Sequence, residues 1–268
     1  MNSSMINAGV TMSELQKRLD TLAHNMANSQ STGFKKRDTS FTDLLAQQVY
    51  NRYNQKGEAG RLTPTGIRVG SGARVSDTSL NMKQGVLQTT NRSLDVALAV
   101  PSHFFQVQGD DGVIEYTRDG AFYLRPTGAN TLQLVTSDGK KVLGNKGAIT
   151  IPSQYKEISI GQNGNISVTL KDGRVINNGN LAVVDAINPQ LLQAVGHNFR
   201  IPPDVFARQV MRGVVNQDIA IQQGALEMSN VDMGDEMTDL METQRSYQFN
   251  ARTITTSDQM MGLINGIR

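Results

Sequence analysis

Apolar residues recur along this chain with two different periods. Near its start Met5, Ala8, Met12, Leu15, Leu19, Leu22 and Met26 are spaced alternately three and four apart. That spacing is the mark of a helix that buries a seam against other helices. Near its end Met233, Met237, Leu240, Gln244, Tyr247, Ala251, Ile254, Asp258 and Met261 follow the same rule. The first stripe predicts a helix over roughly residues 3–28, capped by Ser3 or Ser4 and stopped by the polar run from Asn28 to Gly33. The second predicts a helix from about Asn230–Asp232 to Ile264. Ser229 to Asp232 reads as a capping box, and Asp232, Asp235 and Glu236 put negative charge where a helix start favours it. Gln244 and Asp258 stand at seam positions, where polar residues either fix register and partner number or face solvent on an imperfect stripe.

Between the stripes the period falls to two. Phe104–Gln108, Ala121–Leu124, Leu132–Thr136 and Asn165–Leu170 alternate as half-buried strands do. They are punctuated by Asp111-Gly112, Asp119-Gly120, Asp138-Gly139, Asn163-Gly164 and Asp172-Gly173. Such pairs supply the positive φ angles of tight hairpins, so the region over 91–203 is expected to be a mainly antiparallel β domain. Phe41–Leu45 predicts a short second helix to about Tyr50, and the polar, glycine-rich remainder of 36–90 an extended arm with short strands. Residues 204–228, a return linker by position, are neither cleanly alternating nor cleanly helical. The expected fold is therefore α+β: long terminal helices packed together in coiled-coil fashion (1–35 and 229–268), an arm and a β-rich middle.

Composition narrows the function. The chain has 268 residues and no cysteine, which excludes disulfides, thiolate catalysis and cysteine-ligated metals. Basic and acidic residues, 26 and 24, are interspersed without a Lys/Arg block of the kind that tracks phosphate, so nucleic acid is not an expected partner. The first thirty residues hold no apolar core of a secretory signal, and no window is apolar enough to span a membrane. His24, His103 and His197 lie far apart, without ligand spacing. Asp110-Asp111 reads as a turn, and Gly70–Gly72 is too short for a phosphate loop. No catalytic, cofactor or metal site is expected, and the chain is read as a structural protein rather than an enzyme.

The stretch Ala23–Lys35 resembles the axial proteins of bacterial flagella: rod, hook and hook-associated subunits. Their N-terminal helix ends in an asparagine-rich run, matched here by Asn25, Ala27, Asn28, Gly33, Phe34 and Lys35, with the threonine displaced to Thr32. Gly224–Asp232 is similar to their C-terminal hallmark, which continues through Glu236-Met237, Gln244–Tyr247, Asn250-Ala251 and Asp258–Met260. Leu94–Ala97, Phe104–Val107 and Tyr116–Phe122 resemble the rod and hook pattern in the middle. Within the family, Phe41–Leu45, Val69–Ala73 and the length look most like the distal rod subunit, with the proximal rod subunit next. One departure stands out: Ala99–His103 replaces the family's glycine turn before the paired phenylalanines.

The resemblance implies a subunit whose ends fold on polymerisation and pack coaxially into the inner layer of a hollow drive shaft, with the β-rich middle outside. Expected partners are further copies of itself, neighbouring rod and hook subunits, the flagellar export apparatus and a bushing ring. Subunit contacts are expected from Met5, Ala8, Met12, Leu15, Leu19, Leu22, Met26, Met237, Leu240, Gln244, Tyr247, Ala251, Ile254, Asp258 and Met261. Asn25, Asn28, Gly33, Phe34, Lys35, Ser229, Asn230 and Val231 are expected to shape the turn out of the inner layer. Other readings are a hook-associated adaptor, a hook-type subunit and, last, a wall-remodelling enzyme.

Overall fold

The computed structural model describes residues 2–43, 47–49, 67–69, 73–109, 111–128, 130–215 and 219–266. The fold is α+β, with mostly antiparallel sheets and helices at both termini. The chain divides into two compact units. One comprises Met1–Met26, Arg37–Ser79 and Met233–Arg268, and the other Ala27–Lys36 and Leu80–Asp232.

In the first unit the N-terminal helix, Asn2–Ala27, packs with the C-terminal helix, Met233–Gly266. Ser3 and Ser4 lie inside the former rather than capping it. Of its stripe Ala8, Leu15 and Leu22 are buried, while Met5, Met12, Leu19 and Met26 are half-buried. The C-terminal helix turns a different stripe inward than hydrophobicity alone selects. Its covered positions are Glu236, Asp239, Leu240, Thr243, Tyr247, Asn250, Ala251, Thr253, Ile254, Ser257 and Met261. Leu240, Tyr247, Ala251, Ile254 and Met261 belong to both stripes, but Glu236, Thr243 and Ser257 are buried where Met237, Gln244 and Asp258 stay exposed. Thr243 and Ser257 tolerate burial because each hydroxyl donates to the carbonyl four residues earlier, at 2.7 and 2.8 Å. Glu236 accepts from Asn25 at 3.2 Å.

The expected second helix at Phe41–Tyr50 is absent: its described residues form strands Arg37–Asp43 and Gln47–Val49. Thr39, Phe41 and Thr42 favour an extended chain. The first strand pairs with Ala73–Leu80 and the second, antiparallel, with Ile67–Val69. Residues 44–46, 50–66 and 70–72 of the expected helix and arm lie outside the described residues.

In the second unit the hairpin His103–Gln108 and Ile114–Thr117 organises the largest sheet. Adjacent residues of a strand face opposite sides, so Phe104 and Phe105 each start a separate core. Phe105 meets Phe122 edge-on at 5.2 Å among Val107, Leu134, Val142, Ile151, Ile166 and Leu181. Phe104 meets Phe199 at 5.6 Å among Tyr116, Val184, Val210 and Met211. Tyr155–Ile160, Asn165–Leu170 and Val175–Asn180 form a separate antiparallel meander. Gly112, Gly139, Gly164 and Gly173 take the positive φ their turn pairs predict. Gly120 does not; a Cβ there would sit 1.7 Å from the Val96 carbonyl oxygen, so glycine serves close approach rather than a hairpin. Residues 204–228 contribute Val210, Met211, Ile219, Ile221 and Ala225 to the interior, and strands Ile221–Gln223 and Ala225–Glu227 pair with Val96–Leu98 and Leu87–Thr89.

Glu115, buried on the inner hairpin strand, accepts from Asn198 at 3.0 Å, Arg200 at 2.7 Å and Lys140. Burial pushes its carboxyl up, but those hydrogen bonds outweigh it and hold the group below its ordinary 4.5. A depressed carboxyl contributes stability that is complete above the unfolded value and lost as pH falls through the folded one. Urea midpoints of the wild type should therefore fall as pH drops below about 4.5. Glu115→Gln should be less stable at neutral pH and show a flatter acid limb.

Candidate functional site at the junction of the chain ends

The residues expected to shape the turn out of the inner layer converge with residues far away in sequence. Within the second unit the segment 27–36 lies against 227–230. Asn28 opens a turn, its carbonyl accepting from the Ser31 N–H at 3.1 Å and its side chain from the Ser31 hydroxyl at 3.3 Å. Gly33 follows with φ +67°. A Cβ there would lie 2.5 Å from the backbone of Arg118 and Asp119, so both conformation and space require glycine. Its N–H donates to the Glu227 carbonyl at 2.8 Å.

Next comes a buried ionic cluster. The Lys35 ammonium donates to the Lys83 carbonyl and to Glu227 Oε1, both at 2.8 Å. Glu227 Oε1 also accepts from the Gly85 N–H at 3.0 Å, and Oε2 pairs with Arg118. Arg118 Nη1 donates to the Val100 and His103 carbonyls at 2.7 and 2.5 Å. The Ala99–His103 loop thus closes over the guanidinium. One carboxylate faces two cations, and all three side chains are buried. Burial, reinforced by the neighbouring Arg118, lowers the Lys35 ammonium below its usual 10.5 against the opposing pull of Glu227.

Asn230 completes the junction. Its Oδ1 accepts from the Lys36 N–H at 2.7 Å, and its Nδ2 donates to the Asn81 and Lys83 carbonyls at 2.9 Å. Ser229 is buried, and its hydroxyl accepts from the Val231 N–H at 3.3 Å. The helix starts only at Met233, so Ser229 closes a tight turn ahead of it instead of capping it. Phe34, Asn28 and Val231 are half-buried.

Asn25 plays the matching part in the first unit. It is fully buried, exchanges hydrogen bonds with the Arg37 backbone at 2.9 and 3.1 Å, and reaches Glu236. An ion pair between Arg18 and Asp239 at 3.7 Å also joins the terminal helices.

The sequence expectations named Asn25, Gly33, Lys35 and Asn230, gave Glu236 only a part in the helix-start charge, and gave Glu227 and Arg118 no role. A signal existed. Glu227 shares its strand face with buried Ala225, and Arg118 shares its face with buried Tyr116. A charge on the apolar phase of a strand requires a buried partner of opposite sign. Among the described residues no cluster of three or more His, Asp or Glu side chains could hold a metal, and no helix is long and apolar enough to cross a membrane.

Residues 102–168 match the model of the flagellar hook protein FlgE/F/G D1 domain, and 222–267 that of the flagellar basal body rod FlgEFG protein C-terminal. The chain is 44% identical to the flagellar hook-basal body complex protein FlhP of Bacillus subtilis, over the full length of both. It is 34% identical to the flagellar basal-body rod protein FlgG of Borreliella burgdorferi, over all of this chain and 99% of that one. To the FlgG of B. subtilis it is 33% identical over 93% of each. The chain belongs to the flagellar basal-body rod family. It is a structural subunit of the flagellar basal body rather than an enzyme, and it assembles with neighbouring flagellar subunits.

Two substitutions in the junction should differ sharply in cost. Glu227→Gln leaves Lys35 and Arg118 as buried cations without a counter-charge, and a loss of about 3–5 kcal/mol is expected. Lys35→Met leaves Arg118 and Glu227 balanced one to one and should be close to neutral. Urea denaturation of both variants tests the order; equal losses would show that the cluster is not governed by charge balance.

Proposed function

We propose that the protein is a rod subunit that polymerises through its terminal helices into a hollow drive shaft, which carries torque from motor to hook and encloses the export channel. The observation that supports this is the outward face of the C-terminal helix. While one face packs in its own unit, Met233, Met237, Met241, Phe249, Met260, Leu263 and Ile264 remain exposed, Phe249 by 73% and Met237 by 54%. Large apolar side chains gathered on one helix mark a surface that another protein covers. Covering a methionine or phenylalanine contributes about 1.5–3 kcal/mol.

In this reading the inner layer is built from 1–35 and 229–268, and the 91–203 domain lies outside it. The seam residues Met5 to Met26 and Leu240, Tyr247, Ala251, Ile254 and Met261 hold the two helices of one subunit. Met237, Gln244 and Asp258 face neighbouring copies, where the polar pair sets helical register. Like surfaces meeting unlike ones without closing on themselves generate an open helix. The subunit leaves the cell through the flagellar export apparatus, its terminal helices gaining most of their order from packing in the polymer. Rod and hook subunits, and a ring around the shaft, complete its contacts.

Met237→Asp and Phe249→Asp alter the exposed face without entering the seam. Each should leave the thermal unfolding of the purified monomer within about 0.5 kcal/mol of wild type while abolishing swimming and rod assembly in complemented cells. Normal motility with both substitutions would count decisively against polymerisation through this helix.

A further inference from the structure

We propose that residues 27–36 form a releasable strap, a segment seated on the β unit that opens while both apolar cores stay closed. This stands whether or not the shaft model holds, because it concerns one unit of the monomer.

Three observations converge on it. First, the strap is fastened largely by polar groups: Gly33 N–H to the Glu227 carbonyl, Lys35 to Glu227 and Lys83, and Lys36 to Asn230, with the Asn81 N–H returning to the Lys36 carbonyl at 2.9 Å. Thr32 adds its hydroxyl to Asp119 at 2.7 Å. Neither apolar cluster includes a residue of the strap among the described residues.

Second, the β unit is electrostatically complete without the strap. Arg118 and Glu227 both come from 80–232 and form a balanced pair, whose guanidinium is further held by the Val100 and His103 carbonyls. Seating the strap inserts Lys35, a second buried cation, on a carboxylate already matched, and covers Asp119 beneath Thr32. Burial, reinforced by the neighbouring Arg118, lowers the Lys35 ammonium, so this cation is carried in its seat at a cost. The bonds Lys35 makes on seating are offset by the desolvation of its charge, and the net hold is correspondingly weak.

Third, the seat is a narrow one. Gly33 passes within van der Waals reach of the Arg118–Asp119 backbone, and any side chain there blocks closure. A segment with a single steric keyhole, polar fastenings and no share in a core is drawn from the low-stability end of a protein's opening spectrum.

Hydrogen exchange on the full-length monomer, resolved to the Gly33 and Lys36 amides, tests this. Those amides should show protection at least roughly tenfold below the amides of His103–Gln108 and Asn165–Leu170, with little denaturant dependence. Equal protection and equal denaturant dependence would mean that the strap leaves only on global unfolding, and would overturn the proposal. Gly33→Ala should abolish protection across 27–36 while the thermal unfolding of the β unit persists as a cooperative transition; loss of that transition would refute separability. Lys35→Met should leave strap protection unchanged or raised. A fall of roughly tenfold or more would show that Lys35 is a net fastening and that the charge argument is wrong.

Discussion

A carboxylate removed from water must be matched, and the match is demanding when it serves two cations at once. Glu227 holds Lys35 from the N-terminal side, Arg118 from the central hairpin and the Gly85 N–H from the start of the β unit, while its own carbonyl accepts from Gly33. Contacts separated by 109 and 192 residues thus meet on one side chain. Closing loops of that length costs chain entropy, and once Glu227 is buried the loss of its counter-charge would cost more still, so the arrangement around it is tightly constrained. The close approaches follow from this knot: Gly33 against the Arg118–Asp119 backbone, and Gly85 with a virtual Cβ 1.9 Å from the Met228 carbonyl oxygen. Side chains at either place would push the carboxylate away from its partners.

The terminal helices obey a different economy. An amphipathic helix gains most of its stability from what it packs against, and the C-terminal helix has apolar residues on two opposite faces. Its inward face is narrow and partly polar, kept tolerable by hydroxyls that return to their own helix and by the Asn25–Glu236 contact. Its outward side leaves seven large apolar side chains, Phe249 and Met237 among them, exposed between polar ones. A helix that keeps such side chains in water within its own unit has apolar surface left for a neighbour to cover. The β unit, by contrast, buries its own cores around Phe104 and Phe105 and needs no neighbour to do so.

Much of this was legible in the residues. The 3.5-residue stripes located both terminal helices, alternation and Asp-Gly pairs located the hairpins at Gly112, Gly139, Gly164 and Gly173, and the asparagine-rich run after Met26 pointed to the family. Local pattern suffices there because helix period, strand period and turn geometry are properties of neighbouring residues. Phe41–Tyr50 was misread as helical because a short apolar run does not distinguish helix from strand; pairing with a distant strand decided it. The phase of the C-terminal seam escaped for a related reason. Stripes through Met237 and through Glu236 share Leu240, Tyr247, Ala251, Ile254 and Met261, and hydropathy prefers the former. Burial of Thr243 and Ser257 depends on self-satisfied hydroxyls that hydropathy does not count.

By itself, then, the sequence determined the element types, the two kinds of periodicity and membership in a family of structural flagellar subunits. Only the tertiary structure decided which charges meet, because Lys35, Arg118 and Glu227 are remote in the chain and their pairing is a matter of geometry in a dry interior. It also decided which face of the C-terminal helix is spent within the subunit and which is left for others. Hydrophobic periodicity reports that a helix has something to bury, but the shape and polarity of what lies opposite choose the face.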